Sequence, residues 1–114
     1  DKESLDIVRN SMYNVVNQYK GTAFASRLKS KKFKMAGKTG TSQVRRISLV
    51  ERESGVLENK ELPYKLRDHS IFSGFAPFNN PRYAICVVVE HAGSGSKVAA
   101  PMARDILDFT FNQV

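Results

Sequence analysis

Near the start of the chain, apolar residues recur at spacings of three and four: Leu5, Val8, Met12, Val15 or Val16, and Tyr19. That period predicts an amphipathic helix with its stripe turned to the core. Gly21 is suited to end it, and Lys20 to meet the negative end of its dipole. Residues 22–34 are polar, basic and aperiodic. From Lys34 to Val44, small and β-branched residues predict a strand. Residues 45–68 show no clean period and carry the turn formers Ser54-Gly55, Asn59 and Pro63. They read as a long excursion between strands, with a small hairpin as one option. His69–Ala76 (HSIFSGFA) and Tyr83–Glu90 (YAICVVVE) read as strands joined by a turn at Pro77-Phe78-Asn79-Asn80-Pro81, which makes them an antiparallel hairpin. The unbroken apolar run of the second predicts burial on both faces. After the loop Ala92–Ser96, the residues Val98, Met102, Ile106 and Phe109 share a helical face. Ala99, Ala103, Leu107 and Thr110 widen it. Pro101 falls in or near the first turn, where a missing N–H costs least. The order helix, strand, strand, strand, helix is an α+β fold, an antiparallel three-stranded sheet with flanking helices.

Composition adds limits. A chain of 114 residues that is 41% hydrophobic suits one globular domain or part of one. It contains no apolar run of the ~18 residues that a membrane helix needs and no signal peptide. It opens on Asp1 rather than methionine, so the expectation is a piece of a longer protein, with any anchor or address outside it. Cys86 is the single cysteine and sits among Ile85, Val87, Val88 and Val89. A buried apolar role is expected for it, and no intrachain disulfide is possible.

The net charge of +7 is uneven. Arg27, Lys29, Lys31, Lys32, Lys34, Lys38, Arg45 and Arg46 crowd one stretch that holds no acid. Such a run fits a nucleic-acid footprint or a solvated loop on a basic protein. Phe33 is its one aromatic residue, which argues against base stacking and for the solvated loop.

The chemistry is concentrated in Met35–Val44, MAGKTGTSQV. Gly37-Lys38-Thr39 matches the second half of a phosphate-binding P-loop, but Lys32 stands where that motif needs its first glycine. A strand follows where the P-loop requires a helix. The alternative is Lys-Thr-Gly on a strand, at Lys38, Thr39 and Gly40. Lys38 supplies charge for an anion and Thr39 a hydroxyl donor. Gly40 leaves room for a ligand against the strand edge. No metal ligand spacing links His69 and His91. His69 is expected to be a structural hydrogen-bonder, or a support for a cleft. Arg67-Asp68 is expected to form a local salt bridge, His91 to be solvated, and Gln43 to face either cleft or solvent.

The surroundings of Lys-Thr-Gly decide between these motifs. AGKTGTSQV, then RDHSIFSGFAPFNNPRYAICVVVE, a Gly/Ser loop and KVAAPMARDIL together resemble the C-terminal part of the transpeptidase domain of class B penicillin-binding proteins, most of all its elongation-associated members. Ser11-Met12-Tyr13 and Gly21-Thr22-Ala23 fit as well. The resemblance covers nearly the whole chain and is weakest from Arg45 to Leu62. It implies that residues 1–114 supply the last three strands and the last helix of a five-stranded sheet. It further implies a parent that cross-links peptidoglycan as a serine D,D-transpeptidase without a cofactor and is inhibited by β-lactams. That parent would be held in the inner membrane with this domain in the periplasm. Lys38, Thr39 and the Thr41 hydroxyl would bind the substrate carboxylate, Lys38 would assist proton transfer, and the Thr41 N–H would be one of two oxyanion donors. The partners implied are the stem peptide of peptidoglycan and β-lactams, not nucleic acid.

The family's nucleophile pattern is missing. Ser26-Arg27-Leu28-Lys29 and Ser94-Gly95-Ser96-Lys97 have Ser-x-x-Lys spacing, but the first lies in a highly basic irregular stretch and the second in a glycine-rich loop on the wrong side of Lys-Thr-Gly. No Ser-x-Asn occurs. Both are expected to be chance matches, and the chain alone to be inactive. A serine β-lactamase of the same fold, or a small basic module for nucleic acid or anionic lipid, are the rival readings. In the family, Tyr83–Glu90 pairs with a strand that this chain lacks. Self-association through that edge, or its covering by the chain's own irregular segments, is therefore expected.

Overall fold

A computed structural model describes residues 1–113. Helix α1 (Lys2–Asn17) opens on Asp1, whose carboxylate accepts the Ser4 N–H at 2.8 Å as an N-cap. Strand β1 (Ala36–Ser42) follows, then the short helix α2 (Leu49–Ser54). Strands β2 (His69–Ala76) and β3 (Tyr83–Val89) lead to helix α3 (Ala99–Asn112). Single 3-10 turns occur at Phe24–Ser26, Asn59–Glu61 and Tyr64–Leu66. The sheet is antiparallel, in the order β1-β2-β3. The register aligns Gly37 with Gly74, Gly40 with Ile71, and Ser70 with Val89.

Helices cover both faces. On one side Ser70, Phe72 and Ala76 are buried against α3. There the Ala99 N–H donates to Ser70 Oγ at 3.0 Å, and Phe111 meets Tyr83 edge-on at 5.6 Å. On the other side Arg9 of α1 lies 5.8 Å from the Phe75 ring, and Met12 borders a hollow with Ser73, Phe75 and Cys86. Phe72 is the largest fully buried side chain. Burial of a ring that size contributes about 2–3 kcal/mol. It lies in a notch made by two facing glycines. A Cβ on Gly37 would stand 2.2 Å from Phe72 Cζ, and one on Gly74 2.8 Å from its Cε1.

The predicted elements are present, with corrections of detail. The stripe on α1 is only partly core: Val16 is buried, whereas Leu5, Val8 and Tyr19 are exposed. The helix stops at Asn17, before Gly21, with no basic residue in its last turn. Gly21 serves differently, by packing on the terminal carbonyls, since a Cβ there would fall 2.1 Å from Val15 O. Ala23 then donates its N–H to that carbonyl at 3.0 Å. Pro101 does lie in the first turn of α3, but the helix buries only one side of the expected face, the side that Ala99, Ala103 and Leu107 widen. Ala99, Ala100, Ala103, Leu107 and Phe111 are buried, and Met102, Ile106 and Phe109 are exposed. The alanines let the helix approach the sheet closely. β3 is not buried on both faces. Tyr83, Ile85, Val87 and Val89 are half-buried under α3, while Ala84, Cys86 and Val88 are exposed. Cys86 is thus an exposed thiol and accepts from the Ser73 hydroxyl at 3.3 Å.

The excursion is no hairpin. Ser48 caps α2 by accepting the Glu51 N–H at 3.2 Å. Arg45 then grips the Glu51 carboxylate with two bonds, at 2.8 and 2.5 Å, and the Leu57 N–H adds a third at 3.1 Å. The Arg45 guanidinium first, and the Leu57 N–H second, hold the Glu51 carboxyl down at about 2.

Candidate functional site

β1 forms one edge of the sheet and carries Lys38, Thr39, Gly40 and Thr41 along it. Lys38 and Thr41 are exposed, and Thr39 and Gly40 half-buried. The Lys38 ammonium donates to the Thr39 carbonyl at 2.7 Å. The Thr39 hydroxyl lies 3.0 Å from that of Thr22, so the turn after α1 sets its position. Nothing inside the fold explains Gly40 as it does Gly37. A Cβ on Gly40 would meet Ile71 at 3.5 Å, an ordinary contact.

The opposite side of the strand is braced by the Gly/Ser loop. A Cβ on Gly95 would fall 2.3 Å from Gly40 O, 2.4 Å from Ile71 O and 2.9 Å from Gly40 N. Three backbone atoms gather around one point in this way inside the ring of a hydrogen-bonded antiparallel pair. Gly40 therefore faces β2, and alternation turns the N–H and C=O groups of Thr39 and Thr41 toward the free edge. Ser70 Oγ fastens the same loop by donating to Ser94 O at 2.9 Å.

The two Ser-x-x-Lys matches are structural. Ser94 O accepts the Lys97 N–H at 3.2 Å in the turn that opens α3, and its hydroxyl meets Ser96 rather than Lys97. Ser26 is buried, and the Lys29 N–H is taken by the buried Asp108 carboxylate at 3.1 Å. Gln43 is exposed and bends back to the Arg45 carbonyl.

The far end of β2 is tied down by histidines. His69 Nδ1 accepts the His91 N–H at 2.9 Å, so neutral His69 carries its proton on Nε2. His91 is not solvated. It is half-buried at φ 56°, with Nδ1 2.9 Å from the Arg67 carbonyl and its ring against Tyr64. Arg67 and Asp68 form no salt bridge with each other. Arg67 Nε donates to Leu62 O at 2.9 Å, and the Asp68 backbone binds Asn59 and Gly93. Among the described residues no cluster of three or more His, Cys, Asp or Glu is placed to hold a metal. No helix among the described residues is long and apolar enough to cross a membrane.

A family model described as the penicillin binding protein transpeptidase domain matches residues 1–108. The chain belongs to this transpeptidase-domain family. Within it, a peptidoglycan D,D-transpeptidase MrdA of Haemophilus influenzae is 40% identical over 111 residues, which is 95% of this chain and 16% of that protein. The MrdA of Escherichia coli K12 is 35% identical over 103 residues, or 90% of this chain and 15% of that one. The penicillin-binding protein (PBP2) of Helicobacter pylori, solved in complex with MreC, superposes with a TM-score of 0.77 at 32% identity and covers 98% of this chain and 18% of that one. The Pseudomonas aeruginosa PBP2 in complex with WCK 5153 gives 0.67 at 37% identity, covering 95% and 19%. The α+β sheet and its helices are thus those of penicillin-binding transpeptidase domains, and the resemblance narrows to penicillin-binding protein 2. These relatives favour a transpeptidase over a β-lactamase or a basic binding module. The chain spans about one-sixth of the length of the curated relatives it matches.

Proposed function

We propose that this chain is the C-terminal part of a transpeptidase domain and forms the Lys-Thr-Gly wall of its active-site cleft. The parent is a serine D,D-transpeptidase that cross-links peptidoglycan, anchored in the bacterial inner membrane with this domain in the periplasm. The observation that carries the reading is the free edge of β1 with its side chains. An extended peptide ending in a carboxylate can lie along Thr39–Thr41 as an added strand, over the gap at Gly40. The Lys38 ammonium, held beside that edge, meets the carboxylate together with the Thr39 and Thr41 hydroxyls. The outward Thr41 N–H donates to the oxyanion of the tetrahedral intermediate. A donor of that kind supplies about 3 kcal/mol of transition-state stabilisation. Lys38 also favours proton transfer at the serine by its charge. The serine and its activating lysine lie in another part of the parent, and β-lactams acylate that serine by mimicking the peptide end.

Two measurements test this. The isolated chain should take no label from a fluorescent penicillin. An adduct at Ser26 or Ser94 would overturn the placement of the nucleophile elsewhere. In the parent, Lys38→Ala should slow acylation about tenfold or more while the fold survives, because the charge acts on bound ligand. Thr39→Val should do less. Unchanged acylation in Lys38→Ala would remove Lys38 from the mechanism. We also propose that the isolated chain self-associates through the outer edge of β3.

A further inference from the structure

One sizeable hollow on the molecule lies away from β1's free edge. It encloses about 670 Å³ between α1, the segment before β1 and the β2–β3 turn. We propose that it docks an acidic peptide segment of a partner protein, anchored by one aromatic or large aliphatic side chain.

The floor is apolar, made by Tyr13, Phe33 and Phe78. Lys32, Lys34 and Arg82 stand around it, and no carboxylate lines it. The ion pairs among the described residues are Arg45–Glu51, Lys60–Glu58 and Arg104–Asp105, so these three cations have no acidic partner there. Asp6 stands about two turns before Tyr13 on α1, outside the lining. The walls are already fixed. Phe78 donates its N–H to Lys34 O at 2.8 Å, Arg9 donates to Phe78 O at 2.9 Å, and Arg82 N–H donates to Ala76 O at 3.1 Å. A ligand therefore meets a preformed groove and spends little on ordering it. Exposed Asn79 and Asn80 supply amides for a peptide backbone.

This pattern suits carboxylates at the rim and an apolar anchor below. Nucleic acid fits less well, because the rings are engaged: Phe33 stacks on Phe111 at 4.6 Å, and Tyr13 packs on Phe78 at 4.8 Å. The groove is also separate from the proposed cleft, since none of its lining residues lies on β1. The proposal therefore stands apart from the transpeptidase reading.

The test is binding of a labelled Glu-rich peptide with a central Phe to the full chain, by anisotropy. A peptide with Ala in place of the Phe and a DNA duplex of matched charge serve as controls. The expected result is saturable binding, weakened about tenfold or more when the Phe is replaced. Reversing the rim with Lys34→Glu and Arg82→Glu should weaken it by as much again. If circular dichroism shows that variant unfolded, Lys32→Ser with Lys34→Ser replaces it. Amide shifts on binding should centre on Asn79 and Asn80. No binding, indifference to the Phe or to the rim charges, tighter binding of the duplex, or shifts confined to Thr39–Thr41 would each overturn the proposal.

Discussion

Two glycines of the motif strand hold their places for opposite reasons. Gly37 is needed by the interior, because a Cβ there would enter the Phe72 ring. Gly37→Ala should therefore destabilise the chain by about 1–3 kcal/mol, as overpacking does. Gly40→Ala meets only Ile71 at ordinary contact distance, so stability should hold. In the parent it should nonetheless slow acylation by penicillin, since the methyl stands where a ligand would lie. Urea melts of both variants and acylation rates of the second check the pair. A stable Gly37→Ala, or a Gly40→Ala parent that acylates at the wild-type rate, would contradict the assignment. The sequence placed Lys38, Thr39, Gly40 and Thr41 on one strand but did not distinguish these glycines, because the distinction depends on Phe72, far along the chain. Thr22 entered only as part of the resemblance, without a role, for the same reason. It lies in an aperiodic turn, and only the fold brings its hydroxyl to Thr39.

At the scale of elements, legibility followed period. β1, β2, β3 and the two long helices carried their own signal. The excursion did not, because its organiser is an ion pair. Arg45 and Glu51 fix α2 through three hydrogen bonds that no hydrophobic period announces. The buried face of α3 was only partly legible because the helix is apolar on more than one side, and only packing selects the Ala99, Ala103 and Leu107 side over Met102, Ile106 and Phe109. The ion pair gives the excursion a pH dependence. Folding lowers the Glu51 pKa from 4.5 to about 2, so its contribution is fully present above about 4.5 and is lost as pH falls toward 2. The pair is half-buried but sits in a mostly exposed surface excursion, so the effect should be local and not global. Amide exchange at Leu57 and Gly55 should be slow at neutral pH, relative to the acid-catalysed reference, and lose that protection over this acid range. Glu51→Gln should remove the protection at neutral pH as well. Protection that survives both acid and the substitution would show that the ion pair does not hold the loop.

The whole molecule carries more surface than its mass calls for. It exposes 7789 Å² at 12.8 kDa, where a self-contained monomer exposes about 6,300 Å². Its radius of gyration is 16.1 Å, against about 13 Å for a compact domain of this length. Much of the excess is apolar: Leu5 and Val8 on α1, Met102, Ile106 and Phe109 on α3, and Val88 on β3. These are surfaces built to be covered. β3 is also the second edge of the sheet, and its seven residues include neither lysine nor proline to blunt it. Pairing between copies along β3 would satisfy its outward backbone groups and hide apolar area in one step. The isolated chain should therefore sediment as a dimer or larger species at high concentration, with slow amide exchange along both edges of β3. Val88→Lys places a charge on the exposed face of that strand and should shift the chain toward monomer without unfolding it. A monomer at high concentration whose β3 amides exchange fast along one edge would show that this edge is tolerated bare.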